Sequence, residues 1–141
     1  MSFKAVRHEQ ISVFLENRAG VIAEVCNALT DQRINIEALT VLDTFDIATM
    51  RMVVDEADLA KEALRTAGAA YVSVPVLGIR LPNVPGSLGA VGNHIAQAGV
   101  NIEYLYASSI PGGDTIYAIL RVGDADIDKV LDIDFDIETT H

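Results

Sequence analysis

Two short turns carry the residues best suited to hold a small charged ligand. Asn17 stands three residues before Gly20, and Asn83 stands three residues before Gly86. A stretch with helical periodicity follows each turn, so the first amide groups of that helix are unpaired and carry the positive end of the helix dipole. Backbone amides at such a position bind anions, and a glycine without a Cβ lets a carboxylate come close.

The asparagine side chain is both a donor and an acceptor of hydrogen bonds, so it can accept from an ammonium group and donate to a carboxylate. Asparagine and glycine are also ordinary turn residues, so a purely structural role in ending the strand and capping the helix stays open. If the turns bind a ligand, the candidate residues are Asn17, Gly20, Val21 and Ile22 in one turn, and Asn83, Gly86, Ser87 and Leu88 in the other.

A second pair of matching residues follows each predicted helix. The run Asn35-Ile36-Glu37 recurs as Asn101-Ile102-Glu103. Each glutamate is either an ammonium partner or a solvent-facing strand residue, and each asparagine is either a ligand contact or a turn residue that enters a strand. These four residues are the remaining candidates for ligand binding: Asn35, Glu37, Asn101 and Glu103.

The sequence offers no recognisable catalytic or cofactor-binding pattern. His8, His94 and His141 are isolated, and no zinc, nucleophile-elbow or phosphate-loop motif occurs. Cys26 lies in the middle of a predicted helix near its apolar stripe, where a buried and inert thiol is expected. We therefore predict a protein that is not an enzyme, with no catalytic residues and no cofactor.

A calcium site is the one metal site that the spacing suggests. Asp124, Asp126 and Asp128 alternate as in a calcium-binding loop, but such a loop needs glycine at its sixth position and glutamate at its twelfth. Lys129 and Phe135 stand there instead. We predict no metal site.

The candidate turns belong to an internal repeat. Residues 11–41 overlay residues 77–107 at an offset of 66, and beyond the next turn the offset becomes 68. The two extra residues fall in the turn 111–114, where an insertion costs little. Identical pairs include Leu15/Leu81, Asn17/Asn83, Gly20/Gly86, Val25/Val91, Asn27/Asn93 and Leu39/Leu105. The chain is a duplicated unit.

Hydrophobic periodicity predicts the same elements in each copy. The first copy has strands at 9–15, 35–43, 48–54 and from residue 71, and the second has strands at 77–81, 101–109 and 115–122 with a helix at 87–98 and a short one near 126–131. The order β-α-β-β-α-β is that of a ferredoxin-like unit. We predict an α+β fold with two such units, at 1–74 and 75–141, whose antiparallel sheets pack side by side because no linker separates them.

Charge limits the partners. The 141 residues carry 20 acidic and 10 basic side chains, a net charge of −10. Nucleic acid and anionic membranes need a basic footprint, so we predict neither as a partner.

With no apolar run long enough to span a bilayer, no signal peptide and one cysteine, a cytoplasmic location is expected. Part of the acid excess lies in residues 132–138, whose strict alternation predicts a half-buried strand with a charged outer face.

The repeated pattern resembles the ACT domain, the small regulatory ligand-binding module of amino-acid metabolism. Asn83-Val84-Pro85-Gly86 is similar to the D/N-x-P-G turn of that family, whereas Asn17-Arg18-Ala19-Gly20 has alanine in place of proline. An amphipathic helix and an INI or VNI run entering a strand complete the likeness. It covers nearly the whole chain as a tandem pair, and it is most like the stand-alone tandem ACT proteins of bacteria.

The resemblance implies a non-catalytic, allosteric sensor that binds an amino acid at interfaces between ACT units, as a homodimer. The turn at 16–22 or 82–88 would receive the polar end of the ligand, and a facing second strand, at 35–40 or 101–106, would line its other side. The alternative is a dimerising interaction module that has no ligand and docks on a metabolic enzyme. A ferredoxin-like enzyme or metal carrier would need a cluster of titratable residues that the sequence lacks.

Overall fold

The computed structural model describes residues 2–44 and 46–138, which form two compact units. One unit comprises residues 9–74, and the other combines the residues from Pro75 onward with the N-terminal residues up to His8. The elements in chain order are β1 Ser2–Phe3, β2 Val6–Glu16, α1 Val21–Asp31, β3 Ile36–Thr44, β4 Ile47–Val54, α2 Ala57–Thr66, β5 Ala70–Pro82, α3 Ser87–Gln97, β6 Ile102–Ser109, β7 Thr115–Val122, a 3-10 turn Asp124–Asp126, α4 Ile127–Leu131 and β8 Phe135–Asp136.

Both copies follow the predicted β-α-β-β-α-β order, so the predicted α+β fold with two ferredoxin-like units is confirmed. In the unit 9–74, β4 lies between β2 and β3, and all pairs are antiparallel. The alternating apolar residues of β2 and β4 point to one side, where α1 and α2 cover them. The fully buried side chains of this core include Ile11, Val13, Met50, Met52 and Leu64.

The second unit repeats this arrangement, with β7 antiparallel between β5 and β6. Its first helix, α3, covers the sheet as α1 does, whereas α4 is only 5 residues long, as the sequence indicated. Burial is completed by Phe135 and Ile137, which follow α4. The remaining fully buried side chains here include Leu77, Ile79, Leu81, Ile95 and Leu120.

The copies join without a linker, as the sequence predicts. Strand β5 runs unbroken for 13 residues through the boundary at Val74 and Pro75. Val76 and Leu77, just after the boundary, are buried. The chain therefore passes from one unit to the other within a single strand.

The N-terminal residues differ from the sequence-based division, which assigned them to the first copy. Ser2 and Phe3 pair with Asp136 and Phe135 as a small antiparallel ladder, and Ala5 is buried in the core of the second unit. The reason is burial: the apolar side of the acidic tail needs a cover, and these residues supply it. The strand predicted for residues 132–138 is accordingly short, because its partner β1 is only 2 residues long.

Ion pairing supports the same contact. The Lys4 ammonium lies 3.2 Å from the Asp134 carboxylate and donates to the Asp132 carbonyl oxygen at 3.0 Å. Both side chains are largely exposed, so the pair contributes little stability and mainly favours this register.

Gly78 makes room for a contact across the second unit. His8 and Tyr117 meet over this glycine through a hydrogen bond between the His8 Nε2 and the Tyr117 hydroxyl, with their rings edge to face and 5.9 Å apart. A Cβ at position 78 would lie 2.6 Å from the His8 Cδ2, closer than two such atoms can approach. The glycine is needed for space.

We expect Gly78→Ala to lower the free energy of unfolding by about 1–3 kcal/mol, because the added methyl must push His8 and Tyr117 apart. Gly92→Ala is the matched control: a Cβ there meets nothing within 4 Å, and alanine stabilises a helix by up to about 1 kcal/mol. Urea denaturation of both variants measures the difference. Equal stability of the two would show that the His8–Tyr117 contact does not constrain Gly78.

Candidate functional site

The two candidate turns have the same backbone. Gly20 and Gly86 are the N-cap residues of α1 and α3, with φ of 85° and 93°. This left-handed conformation is costly for residues with a side chain and routine for glycine. The glycines are thus required by the turn itself, and the space around their missing Cβ is open as well.

Each turn leaves helix amides available. The amides of Glu24 and Ala90 bond to the carbonyls of Gly20 and Gly86, which closes the first turn of each helix. The amides of Ile22 and Leu88 lie before those bonds, where no helical carbonyl can reach them. They carry the positive end of the helix dipole, so each turn presents donors to an anion.

In the second copy, Asn83 ties the turn to the hairpin between β6 and β7. Its backbone amide donates to the Asp114 carbonyl at 2.8 Å, and its side-chain Nδ2 donates to the Gly113 carbonyl at 2.9 Å. Because a carbonyl oxygen can only accept, the amide nitrogen must face Gly113. The side-chain oxygen is then the atom with which Asn83 can accept from an ammonium group.

In the first copy, Asn17 makes the same backbone bond, to the Asp46 carbonyl at 3.2 Å. Its side chain differs: the Nδ2 donates to the Asp43 carboxylate at 3.3 Å. The corresponding position in the second copy is Ser109. The Asn17 side chain therefore donates to a carboxylate, whereas the Asn83 side chain donates to a backbone carbonyl.

Further charges surround the first turn. The Arg18 guanidinium forms two hydrogen bonds with the Glu24 carboxylate, at 2.7 and 3.0 Å, and lies 3.5 Å from Glu16. The Arg18 hydrogen bond lowers the pKa of Glu24, and the same contact raises the pKa of Arg18. The guanidinium is thus already occupied by two carboxylates, which limits its use for an external anion.

A cavity of about 340 Å³ opens beside the second turn. It lies between the start of α3, the end of β6 and the start of β7. Small side chains at Ala107 and Ser109 leave the space, and none of the lining residues is charged. The lining consists of Asn83, Val84, Gly86, Ser87, Leu88, Gly89, Ala107, Ser108, Ser109 and Ile116.

Ser87 supports the wall of this cavity. It is 1% exposed, and its hydroxyl donates to the Pro82 carbonyl at 2.7 Å. This bond joins the first residue of α3 to the last residue of β5. Ser87 therefore holds the helix start in place, and its counterpart in the first copy, Val21, cannot make such a bond.

The other four candidate residues lie at the opposite end of each unit. Glu37 and Glu103 each occupy a β-bulge, between Ile36 and Ala38 in β3 and between Ile102 and Tyr104 in β6. Strand rise puts them on the order of 20 Å from the turn of their own unit. The structure therefore does not bring the two sets of candidates together within a unit.

Local contacts account for two of these four residues. The backbone amide of Asn35 donates to the Asp55 carboxylate at 2.9 Å, which fastens the start of β3 to the end of β4. The Glu103 carboxylate lies 3.7 Å from the Arg121 guanidinium. Glu37 and Asn101 are exposed.

Sequence reasoning missed the strand side of the cavity. Ala107, Ser108 and Ser109 line the cavity, and none of them is among the candidates that the sequence predicts. The signal that identifies them is the comparison of the copies: Val41, Leu42 and Asp43 become Ala107, Ser108 and Ser109. Larger or charged residues are replaced by small neutral ones where the cavity opens.

A further depression lies away from both turns. It measures about 400 Å³ and follows the groove between α1 and α2, where Asp31 and Glu62 line it. Both helices end near it, so their negative dipole ends add to the two carboxylates. A ligand carboxylate is disfavoured there.

The described residues contain no group of three or more His, Cys, Asp or Glu side chains able to hold a metal ion.

His94 contacts the Asp136 carbonyl through its Nε2 at 3.2 Å and packs edge to face on Phe135. In the same described part of the chain, every helix is too short or too polar to cross a membrane.

Known proteins match this chain over nearly its whole length. The family model described as ACT domain pair matches residues 6–138. The crystal structure of protein BT0572 from Bacteroides thetaiotaomicron is 34% identical, with a TM-score of 0.79 and coverage of 86% of this chain and 83% of that one. No match was found among curated proteins.

Two more distant structures share the fold. The regulatory subunit of aspartate kinase from Thermus thermophilus, in its ligand-free form, is 19% identical, with a TM-score of 0.69 and coverage of 93% of each chain. The corresponding subunit from Thermus flavus is 18% identical, with a TM-score of 0.67 and coverage of 93% of this chain and 95% of that one.

The different anchoring of the two asparagines predicts different stability effects. We expect Asn83→Ala to lower the free energy of unfolding by about 1 kcal/mol, because a half-buried bond to a backbone carbonyl is lost. Asn17→Ala, its matched control, loses only an exposed contact and should stay within about 0.5 kcal/mol of the parent. Urea denaturation compares them, and a larger loss for Asn17→Ala would contradict the assignment.

Proposed function

Because this chain belongs to the ACT domain pair family, we propose that it is a non-catalytic sensor that binds an amino acid and thereby regulates amino-acid metabolism. The binding position is the turn of the second copy, Asn83 to Leu88. The observation that carries this proposal is the uncharged cavity beside that turn, which puts anion donors and an ammonium acceptor at one opening.

Each part of an amino acid finds a complementary group there. The ligand carboxylate meets the backbone amides at Gly86 and Leu88, at the positive end of α3. The ammonium group donates to the side-chain oxygen of Asn83, whose nitrogen is engaged by Gly113. The ligand side chain enters the space between Leu88 and Ala107.

The lining also limits the ligand side chain. Burying an unpaired charge is costly, and no lining residue can pair with one. A volume of about 340 Å³ is at the small end of the range for ligand pockets. We therefore propose an amino acid with a small, uncharged side chain.

A homodimer is the second part of the proposal. Strands β3 and β6 each end the three-strand ladder of their unit, and both expose apolar side chains on the helix side: Leu39 at 40%, Val41 at 37% and Leu105 at 37%. A second copy of the chain would cover them and would pair the open strand edge.

Dimerisation would also give a role to the distant candidates. When two identical strands pair antiparallel, the start of one faces the end of the other. A β6–β6 pairing would bring Asn101 and Glu103 of a second copy toward the cavity beside Asn83. A β3–β3 pairing would do the same for Asn35 and Glu37 at the first turn.

The proposal places the sensor in the cytoplasm, with an enzyme of amino-acid metabolism as its regulated partner. The second candidate function is a dimerising module that docks on such an enzyme without a ligand. Asp43 and Glu16 lie near the turn of Asn17, and their negative charges disfavour a ligand carboxylate there. This favours a role without a ligand for the first copy, but not for the second.

The ligand proposal predicts stabilisation by a subset of amino acids. Thermal denaturation with each of the twenty amino acids at millimolar concentration should raise the melting temperature for small uncharged ones; a ligand at 100 times its Kd contributes about 2.7 kcal/mol. Asn83→Ala should abolish the shift, and Asn17→Ala should keep it. A folded sample with no shift for any amino acid would contradict the sensor and favour the docking module.

The dimer proposal predicts a change of mass on a single substitution. We expect the parent chain to sediment as a dimer and Leu105→Asp to sediment as a monomer, because two carboxylates would meet in an apolar interface. Leu59→Asp, at an equally exposed leucine on α2, is the control and should stay dimeric. A dimeric Leu105→Asp variant would show that β6 is not the interface.

A further inference from the structure

We propose that Asp43 is an internal carboxylate that closes the ligand turn of the first copy, so that each chain binds one external amino acid at the second copy. This inference rests on the proposed sensor function. It makes Asp43 and Ser109, which occupy corresponding positions, the residues that decide which copy accepts a ligand.

The position of Asp43 is set by the sheet. In β3 it pairs with Ala48, a buried residue of the helix-covered face, so its side chain rises on the side where α1 begins. Its Oδ1 accepts from the Asn17 side chain at 3.3 Å. A carboxylate of the chain itself thus occupies the vicinity of the turn that otherwise resembles the second one.

A tethered carboxylate competes well with a free one. Groups joined by a short piece of chain meet at an effective concentration in the millimolar range, and Asp43 is fastened through the hairpin that holds Asn17. Its negative charge also repels a ligand carboxylate that approaches the amides at the start of α1. Both effects weaken binding of an amino acid at the first turn.

The surroundings of the first turn add to this repulsion. A cavity of about 290 Å³ opens beside the start of α1, and Glu16, Arg18 and Glu24 are among its lining residues. The corresponding residues of the second copy are Pro82, Val84 and Ala90, which carry no charge. Glu16 and Glu24 carry two negative charges against the one positive charge of Arg18, so the first turn keeps a net negative charge.

The size of the strand side chains beside the two turns also differs between the copies. In β3, Val41 stands where β6 has Ala107, and both pair with residues of the covered face. Alanine helps to open the cavity beside Asn83, whereas valine would fill part of the corresponding space. Closure of the first copy thus has a charged component, Asp43, and a steric one, Val41.

The Asn83 side chain donates to a backbone carbonyl of the longer hairpin rather than to a carboxylate. The second copy is two residues longer in the turn 111–114, and the Gly113 carbonyl of this turn accepts from the Asn83 side-chain nitrogen at 2.9 Å. Among the described residues, the Asn17 side chain donates to the Asp43 carboxylate instead.

Reciprocal substitutions test the inference. The parent chain, Ser109→Asp, Ser109→Asn and the double variant Asp43→Ser with Val41→Ala are titrated with L-serine, L-threonine, L-valine and glycine. Nuclear magnetic resonance follows the backbone amide signals of Gly86 and Gly20, which report on the second and the first copy. Calorimetry gives the number of sites per chain.

In the parent we expect only the Gly86 signal to shift, with one site per chain. Ser109→Asp should weaken binding at least about tenfold through like-charge repulsion, while the neutral Ser109→Asn keeps it within that factor. The double variant should gain a shift of Gly20 and a second site. An unchanged spectrum without ligand shows that each variant is folded.

The inference is overturned if Gly20 shifts in the parent, if Gly20 stays unshifted in the double variant, or if Ser109→Asp binds as the parent does. In any of these outcomes the sensor function survives as long as the signal of Gly86 or of Gly20 responds to an amino acid in the parent. If neither glycine responds to any amino acid in the parent, the sensor function and this inference fail together.

Discussion

The left-handed glycine at the start of α1 and α3 is the constraint on which the candidate site depends. A four-residue turn joins strand to helix in each copy, and its last residue, Gly20 or Gly86, has a positive φ. This geometry turns the helix amides outward and brings the preceding asparagine against the neighbouring hairpin. Any other residue would carry a cost in strain, and the amides and the asparagine would lose their common orientation.

Duplication kept this backbone and changed the chemistry around it. The bonds from Asn17 to Asp46 and from Asn83 to Asp114 are equivalent, so both copies build the turn in one way. The side chains near the turn differ between the copies: the set is charged in the first copy and neutral in the second. One fold thus carries two turns of the same backbone and different chemistry.

Sequence periodicity and the repeat predicted the elements and both turns, because these depend on local spacing. The bulges at Glu37 and Glu103 were not predictable, since a bulge is a property of the register between two strands. The partner of Phe135 was missed for a related reason: its alternation showed that one side is buried, but not that Phe3 covers it. The cavity was not predictable from the sequence because small lining residues such as Ala107 belong to no recognisable motif.

The pairing of β1 with β8 affects the order in which the chain can fold as it is synthesised. The unit 9–74 has all its residues once α2 and the start of β5 have left the ribosome. The other unit needs Phe3 and Ala5 together with Phe135, so its first residues must wait for its last ones. Contacts between such distant parts of a chain form slowly, so the side of this core that Ala5 and Phe135 cover is the last to be buried.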